Sequence, residues 1–206
     1  MAQSWKNAKT GDIIELGSYP FAADGQPQAI KWAVLGRSDE GLLALSVYGL
    51  EARCYHGHEQ DITWRDCDLR RWLNQDFLRQ AFSEAERGEL MLTEVFNDGN
   101  EEYDTDGGED TEDRVFVLSL YEFEEFCAGG ELAVCLPSPY ARERGMKHAD
   151  SESEEQGAGG WWWLRTPGSE GDFALEVGGY GEVGEEGTPV HWSGGLVRPA
   201  IQLRLQ

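Results

Sequence analysis

Basic residues and long apolar runs are both scarce in this chain. Lysine and arginine number 17 against 39 acidic residues, which gives the 206 residues a formal net charge of −22. A field of that sign repels phosphate backbones and anionic lipid, whereas it favours cations and basic proteins. No apolar run approaches the length of a bilayer-spanning helix. We therefore expect neither nucleic-acid binding nor membrane insertion.

Signals of export and of catalysis are missing as well. The opening residues, MAQSWKNAKTGDIIELGSYPF, contain no apolar signal core, so the cytoplasm is the default expectation and a surface or phage-associated location the alternative. The sequence has no glycine-rich phosphate loop and no G-x-S-x-G elbow. We therefore predict no enzymatic activity. No C-x-x-C pair occurs, which favours reduced thiols inside the cell and leaves a disulfide open for a secreted protein; the cysteines are Cys54, Cys67, Cys127 and Cys135.

Aromatic residues, by contrast, occur along the whole length and include eight tryptophans. They predict one ordered domain over residues 1–206. Strand-like alternation occupies residues 12–50, helical spacing follows, and period two returns after residue 160. This order predicts the α+β class, with helices packed on a mostly antiparallel sheet. The expected helix starts are Thr63 with Asp66, Ser83 with Glu86, Ser119 with Glu122, and Ser138 before Pro139.

An acidic segment, NDGNEEYDTDGGEDTEDR, occupies residues 97–114. It has too few apolar residues to bury a core, so we predict a long surface loop. Carboxylates are also the ligands that calcium prefers, although the spacing is not that of an EF-hand. A solvated loop and a calcium site are both consistent with this composition, and no other cofactor is predicted. The candidate calcium ligands are Asp104, Asp106, Glu109 and Asp110.

A second candidate metal site is the run from Cys54 through His56 to His58. On a strand, these alternate residues would share one face and could ligate one metal. A turn with an exposed histidine pair is the favoured interpretation. A buried zinc site would need a fourth ligand or a water, for which Cys67 and His191 are conceivable, and a metal-dependent enzyme would need His56, His58, His148 or His191 to converge on one metal.

The C-terminal segment, residues 161–203, begins with three tryptophans and ends near Val-Arg-Pro-Ala. Trp161 to Trp163 alternate faces on a strand, and burial in the core is favoured over a role at a carbohydrate or peptide site. Arg165 and Arg198 are expected to pair with carboxylates. Glycine turns between short strands are predicted in the middle, and LVRPAIQLRL is predicted as one last strand.

Five ordered blocks between residues 13 and 203 resemble a known family: G-S-Y-P with I-K-W-A-V-L, T-W-R-D-C-D-L-R-R-W-L-N-Q-D-F, D-R-V-F-V-L-S, W-W-L-R-T-P-G and V-R-P-A-I. The pattern resembles an uncharacterised bacterial family, common in gut Firmicutes, whose members end W-W-L-R-S-P-G … G-V-R-P-A-L. The tail of that family resembles the C-type-lectin fold of formylglycine-generating enzymes and of the variable proteins of diversity-generating retroelements.

That resemblance implies a C-type-lectin-like fold in which fixed strands display a patch of loops within residues 169–195. The chain would then be a non-catalytic binder of a protein or carbohydrate ligand, with Tyr180 and Trp192 as anchors. The segment has no asparagine, unlike diversified retroelement targets, and no cysteine follows Cys135, unlike formylglycine-generating enzymes. The displayed residues would be Ser169, Glu170, Asp172, Glu176, Tyr180, Glu182, Glu185, Glu186, Thr188, His191, Trp192 and Ser193.

Two alternatives to this function stay open. One is a metal-dependent enzyme of the formylglycine-generating class. The other is an assembly module whose acidic surface docks a basic partner.

Overall fold

Two five-stranded sheets organise the chain in the computed structural model, which describes residues 4–39, 41–145 and 159–205. The strands are β1 (Ile13–Pro20), β2 (Pro27–Arg37), β3 (Gly41–Ser46), β4 (Tyr48–Gly49), β5 (Glu51–Ala52), β6 (Thr93–Val95), β7 (Thr111–Asp113), β8 (Val115–Phe116), β9 (Leu136–Pro137), β10 (Trp162–Pro167), β11 (Phe173–Val177), β12 (Thr188–Pro189), β13 (Leu196–Val197) and β14 (Ala200–Arg204). The α-helices are α1 (Asp68–Trp72), α2 (Leu78–Ala81), α3 (Glu84–Glu89), α4 (Leu120–Phe126) and α5 (Pro139–Glu143). A π-helical stretch, Leu73–Phe77, joins α1 to α2, and 3-10 turns cover Ser4–Asn7, Trp64–Asp66 and Glu131–Ala133. The α+β class is confirmed.

The first sheet has the order β1-β2-β3-β14-β8, and each neighbouring pair is antiparallel. In β2 the predicted face of Ile30, Trp32 and Val34 is buried, but Ala33 and Leu35 are buried as well, so alternation between buried and exposed residues ends at Trp32. The C-terminal strand β14 lies between β3 and β8, in register from Ala200 opposite Leu45 to Arg204 opposite Gly41. The C-terminal strand β14 is therefore an interior strand of the same sheet as β1, β2 and β3.

The second sheet has the order β12-β11-β10-β13-β5 and contains most of the C-terminal segment. Its strands pair antiparallel except β10 and β13, which are parallel and meet at Trp162 and Leu196. Strand β10 is central and buried at every position. It is the rigid base from which the glycine-rich turns project.

The prediction of one last strand over LVRPAIQLRL is wrong, because β13 and β14 belong to different sheets. Arg198 and Pro199 lie between them, and Pro199 has no N–H to donate to a ladder. The neighbouring stretch of residues 46–50 crosses between the sheets in the same way, because the N–H of Leu50 donates to Val197 O and that of Ser46 donates to Pro199 O. The Val-Arg-Pro-Ala stretch is therefore the hinge between the two sheets.

Three of the four predicted helix starts are confirmed. Ser83 and Ser119 each form a complete capping box, and the hydroxyl of Ser138 caps α5. The Thr63 start is wrong, because Thr63 precedes a 3-10 turn without a side-chain cap. Helix α1 begins after Cys67, whose Sγ accepts the N–H of Arg70 at 3.3 Å. No helix within the described ranges is long and apolar enough to cross a bilayer.

The acidic segment is more ordered than a plain surface loop. Its last residues form β7, which pairs with β6, and Asp113 is buried. The Asn100 side chain donates to Pro167 O, and the Thr105 hydroxyl donates to Gly168 O. Polar side chains thus attach this segment to the end of β10 without any apolar core of their own.

Candidate functional site

The two ends of the C-terminal segment, the three tryptophans and the stretch of residues 195–198, pack against each other. Trp161, Trp162 and Trp163 are 6%, 0% and 0% exposed, so the prediction that they are core residues is confirmed on both faces of β10. The guanidinium of Arg198 lies 4.9 Å from the centroid of a Trp162 ring. A Cβ at Gly195 would collide with the rings of Trp161 and Trp163. These contacts fix both ends of the intervening turns.

The two arginines of this scaffold differ in their partners. Arg165 pairs with Glu122, as predicted, and also donates to the backbone carbonyls of Phe96 and Val117. The prediction of a carboxylate partner for Arg198 is wrong within the described residues, where it donates to Ser46 O and Leu132 O. Ser46 O lies at the end of β3, where the chain leaves the first sheet, and Leu132 O lies on the 3-10 turn Glu131–Ala133, so the arginine supplies donors to carbonyls at the ends of elements.

The first exposed turn follows β11 and has Tyr180 at its tip. The N–H of Gly181 donates to Gly178 O at 3.0 Å, and that of Gly184 donates to Glu176 O at 3.0 Å. Gly181 has φ of 90°, a left-handed conformation that favours glycine. The Tyr180 side chain is nevertheless 62% exposed. An ordered backbone therefore holds a large ring in solvent.

The second exposed turn follows β12 and bears Trp192. The N–H of Val190 donates to Asp172 O at 2.9 Å, and that of Trp192 donates to Pro189 O at 2.9 Å. Trp192 is 55% exposed. Because Pro189 pairs with Phe173 at the start of β11, this turn and the Tyr180 turn are attached to opposite ends of that strand.

Exposure divides the predicted display residues into two groups. Glu170, Tyr180, Glu182, Glu185, Glu186, Trp192 and Ser193 are exposed. Ser169, Asp172, Glu176, Thr188 and His191 are half-buried. Most of the acidic side chains thus reach solvent, while the second group supports the turns from beneath.

The charge of this region has one sign. No lysine or arginine occurs between Arg165 and Arg198, whereas six acidic residues do: Glu170, Asp172, Glu176, Glu182, Glu185 and Glu186. Glu176 differs from the others in its environment. Burial is the main reason that its pKa rises to about 7; the hydrogen bond from Thr188 opposes the rise and the charge of Glu182 adds to it.

The Cys54–His58 run lies on a bend after β5, not on a strand. Nδ1 of the buried His56 lies 3.0 Å from Asp68 Oδ2, at ion-pair distance but outside hydrogen-bond geometry, and Nε2 contacts Gln60. His58 is exposed, with its ring 5.8 Å from that of His56. Burial raises the pKa of the Cys54 thiol, which disfavours the thiolate. His148 falls outside the described residues.

Three of the four candidate calcium ligands have protein partners. Asp110 accepts the N–H of Asn97, Asp106 accepts that of Gly108, and Glu109 pairs with Arg65. Asp104 occupies a left-handed conformation at φ 57°. Across the described ranges, no three His, Cys, Asp or Glu side chains are grouped to hold a metal ion. Calcium binding stays a prediction.

Two important acidic residues were not distinguished by the sequence. Asp113 is fully buried, but its burial was not expected from the sequence because it lies in a run of acidic residues. Thr111, Glu112 and Asp113 are all polar, so their sequence does not mark Thr111 and Asp113 as the buried pair. Glu176 was assigned to the displayed set, but it lies opposite the buried Trp163 on β10.

Comparison with known proteins identifies the family of this chain but does not indicate an activity. A family model described as "Domain of unknown function (DUF6273)" matches residues 39–205, from the start of β3 through β14. No curated protein and no solved structure matches the chain. Since the matched range includes well over half of the sequence and every strand of the second sheet, the chain belongs to the DUF6273 family.

Proposed function

We propose that this protein is a non-catalytic binding protein and that its binding surface consists of the turns of residues 169–193, here called the display surface. The observation that carries the proposal is the exposure of Tyr180 and Trp192, at 62% and 55%, on turns whose backbones are fixed by hydrogen bonds. Rigid aromatic rings offer a large contact area and lose little entropy on binding.

The scaffold supports the same proposal. Binding residues are commonly found on loops positioned by rigid elements. Here the buried β10 and the contact between Arg198 and Trp162 hold the two ends of the display surface together. We include in the proposal a C-type-lectin-like fold, which is consistent with β14 returning to the sheet of β1. Membership among the variable proteins of retroelements is a more specific form of the same proposal.

The charge of the display surface indicates the class of partner. With six acidic residues and no lysine or arginine between Arg165 and Arg198, the surface repels anions and attracts cations. Tyrosine and tryptophan faces also bind ammonium and guanidinium groups. A basic polypeptide segment therefore fits both features, and it unites the ligand-binding and docking interpretations of the sequence.

The test uses a fluorescein-labelled octalysine peptide and fluorescence anisotropy. We expect the wild-type chain to bind the peptide, with affinity that falls as salt is raised from 50 to 300 mM. The double variant Tyr180→Ala with Trp192→Ala should bind about tenfold or more weakly, since loss of aromatic anchors typically removes 1–2 kcal/mol or more. Its net charge is unchanged, so a weaker complex cannot reflect a change in the charge of the protein.

The matched control is Tyr121→Ala. Tyr121 lies on α4 and is 67% exposed, but it belongs to another part of the surface. Its removal should leave the affinity within about twofold of the wild type. Equal binding by the wild type and the double variant would show that the peptide responds only to the net charge of the protein. An equal loss in Tyr121→Ala would show that the effect is not specific to the display surface, and either result would overturn the proposal.

A further inference from the structure

Glu176 is a carboxyl group held under the turn that presents Tyr180. On β11 it alternates with the buried Leu175 and Val177, so it faces the other side of the sheet. Its cross-strand partner on β10 is Trp163, which is 0% exposed. One wall of its surroundings is therefore apolar.

The turn closes over this carboxyl group. A Cβ at Gly184 would collide with Glu176 Oε1, so the glycine backbone lies directly against the carboxyl oxygen. On the β12 side, Thr188 is a hydrogen-bond partner of the carboxyl. Oε2 is buried and has no hydrogen-bond partner among the described residues. The group is therefore only partly satisfied as an anion.

The charged and titratable groups around Glu176 do not neutralise a carboxylate. Glu182 lies on the same turn, with its carboxylate packed against Gly178, and its charge acts unfavourably on Glu176. Glu185 and Glu186 follow it on the exposed side. The facing strand β10 contributes the apolar Trp163 at the paired position, and His191 lies three residues beyond Thr188, the hydrogen-bond partner on β12. An anion in this position faces apolar surface and further anions.

We propose that protonation of Glu176 holds the turn of residues 178–184 closed, and that its ionisation as the pH rises loosens this turn and changes the presentation of Tyr180. The neutral carboxyl removes a buried, unpaired charge from beneath the turn and gains an O–H that can donate a hydrogen bond. As a mechanism for regulating ligand binding, the proposal rests on the function proposed for the display surface. The movement of the turn itself does not depend on it.

The direction of the pH dependence follows from the raised pKa of about 7. In the unfolded chain glutamate ionises near its ordinary value, so the folded state binds more protons between that value and pH 7. The stability contributed by Glu176 is therefore fully present at acidic pH and is lost as the pH rises through 7. The turn should be closed at pH 5 and loosened at pH 8.5.

The test is a pH titration of the free protein by NMR. The carboxyl carbon of Glu176 should titrate with a midpoint near 7, and the amide signals of Gly184 and Tyr180 should shift with the same midpoint. Hydrogen exchange at the Gly184 amide, corrected for its intrinsic pH dependence, should be about tenfold faster at pH 8.5 than at pH 5. Glu176→Gln, which cannot ionise, should keep the closed signals at every pH.

Three further variants separate this from other causes. Glu182→Gln should lower the midpoint, because it removes a neighbouring negative charge. Glu185→Gln, an exposed acid directly after the turn, should leave the transition unchanged. His191→Gln is required because histidine side chains in general titrate over the same range. A transition that survives in Glu176→Gln and vanishes in His191→Gln would overturn the proposal, as would titration of Glu176 near the ordinary value for glutamate.

Failure of this inference is distinguishable from failure of the proposed function. If octalysine binds through Tyr180 and Trp192 but with the same affinity at pH 5.5 and 8.5 in wild type and Glu176→Gln, the display surface stands and its regulation by Glu176 is rejected. If the turn responds to pH while no peptide binds, the Glu176 transition stands without that ligand class.

Discussion

Replacing Asp113 by alanine is expected to lower the free energy of unfolding by about 3 to 5 kcal/mol, the range typical for breaking a buried ion pair. For a chain of this size the melting temperature should fall by roughly 6 to 20 °C. Urea unfolding followed by tryptophan fluorescence would give the free energy, and a thermal melt by circular dichroism would give the temperature.

The size of this effect comes from the donors that Asp113 accepts. Its carboxylate receives Trp64 Nε1 at 3.0 Å, Arg70 Nε at 2.8 Å and the Thr111 hydroxyl at 2.8 Å. Trp64 is 1% exposed, so its indole N–H cannot turn to water when the acceptor is lost. Arg70 would be left as a charge without its counter-ion. Leaving such groups unpaired costs more than the pair itself contributes.

Neighbouring variants isolate the buried carboxylate as the cause. Glu112→Ala, on the exposed face of the same strand, should change the free energy of unfolding by no more than about 0.5 kcal/mol. Asp113→Asn should fall between the two, because the amide keeps one acceptor oxygen but loses the charge. A loss below 1 kcal/mol in Asp113→Ala would mean that water replaces the carboxylate, and the buried network would not hold the acidic segment.

Asp113 also illustrates what the sequence could predict. The apolar runs of β1 to β3 and the serine caps at Ser83 and Ser119 are local signals, and the predicted strands and helix starts are confirmed. The composition of the acidic segment does not distinguish its buried acidic residues from its exposed ones. Asp113 is buried while its neighbour Glu112 is exposed, and that difference is set by Trp64 and Arg70, which are far away in sequence.

The C-terminal segment shows the same difference between local signals, which the sequence contains, and long-range contacts, which it does not reveal. The three adjacent tryptophans predicted a core strand, because so much apolar surface cannot be left in water. The exposure of Tyr180 and Trp192 was expected from the resemblance, which implied that both residues lie in displayed loops. The half-burial of Glu176 was not, since it requires knowing that Gly184 folds back over β11. The break between β13 and β14 was hidden as well, because period two continues across Arg198 and Pro199 although the partners change.

Arg198 at that break carries the second large prediction. Arg198→Ala should lower the free energy of unfolding by about 3 to 5 kcal/mol, through a cavity beneath Trp162 and the loss of the donor to one buried and one partly buried carbonyl. Arg198 is 1% exposed and donates to Ser46 O on β3 and to Leu132 O on a 3-10 turn. It therefore ties three separate parts of the chain at the hinge between the sheets. Urea unfolding measures the loss.

A lysine at this position tests which property of the arginine matters. Arg198→Lys keeps the positive charge but not the planar fork that reaches two carbonyls while stacking on Trp162, so it should recover less than half of the loss. Arg204→Ala, at the exposed end of β14, is the control and should change stability by about 0.5 kcal/mol or less. Full recovery by lysine would show that charge alone suffices. Partial recovery would mean that the guanidinium geometry holds the flanking stretches together, and with them the two ends of the display surface.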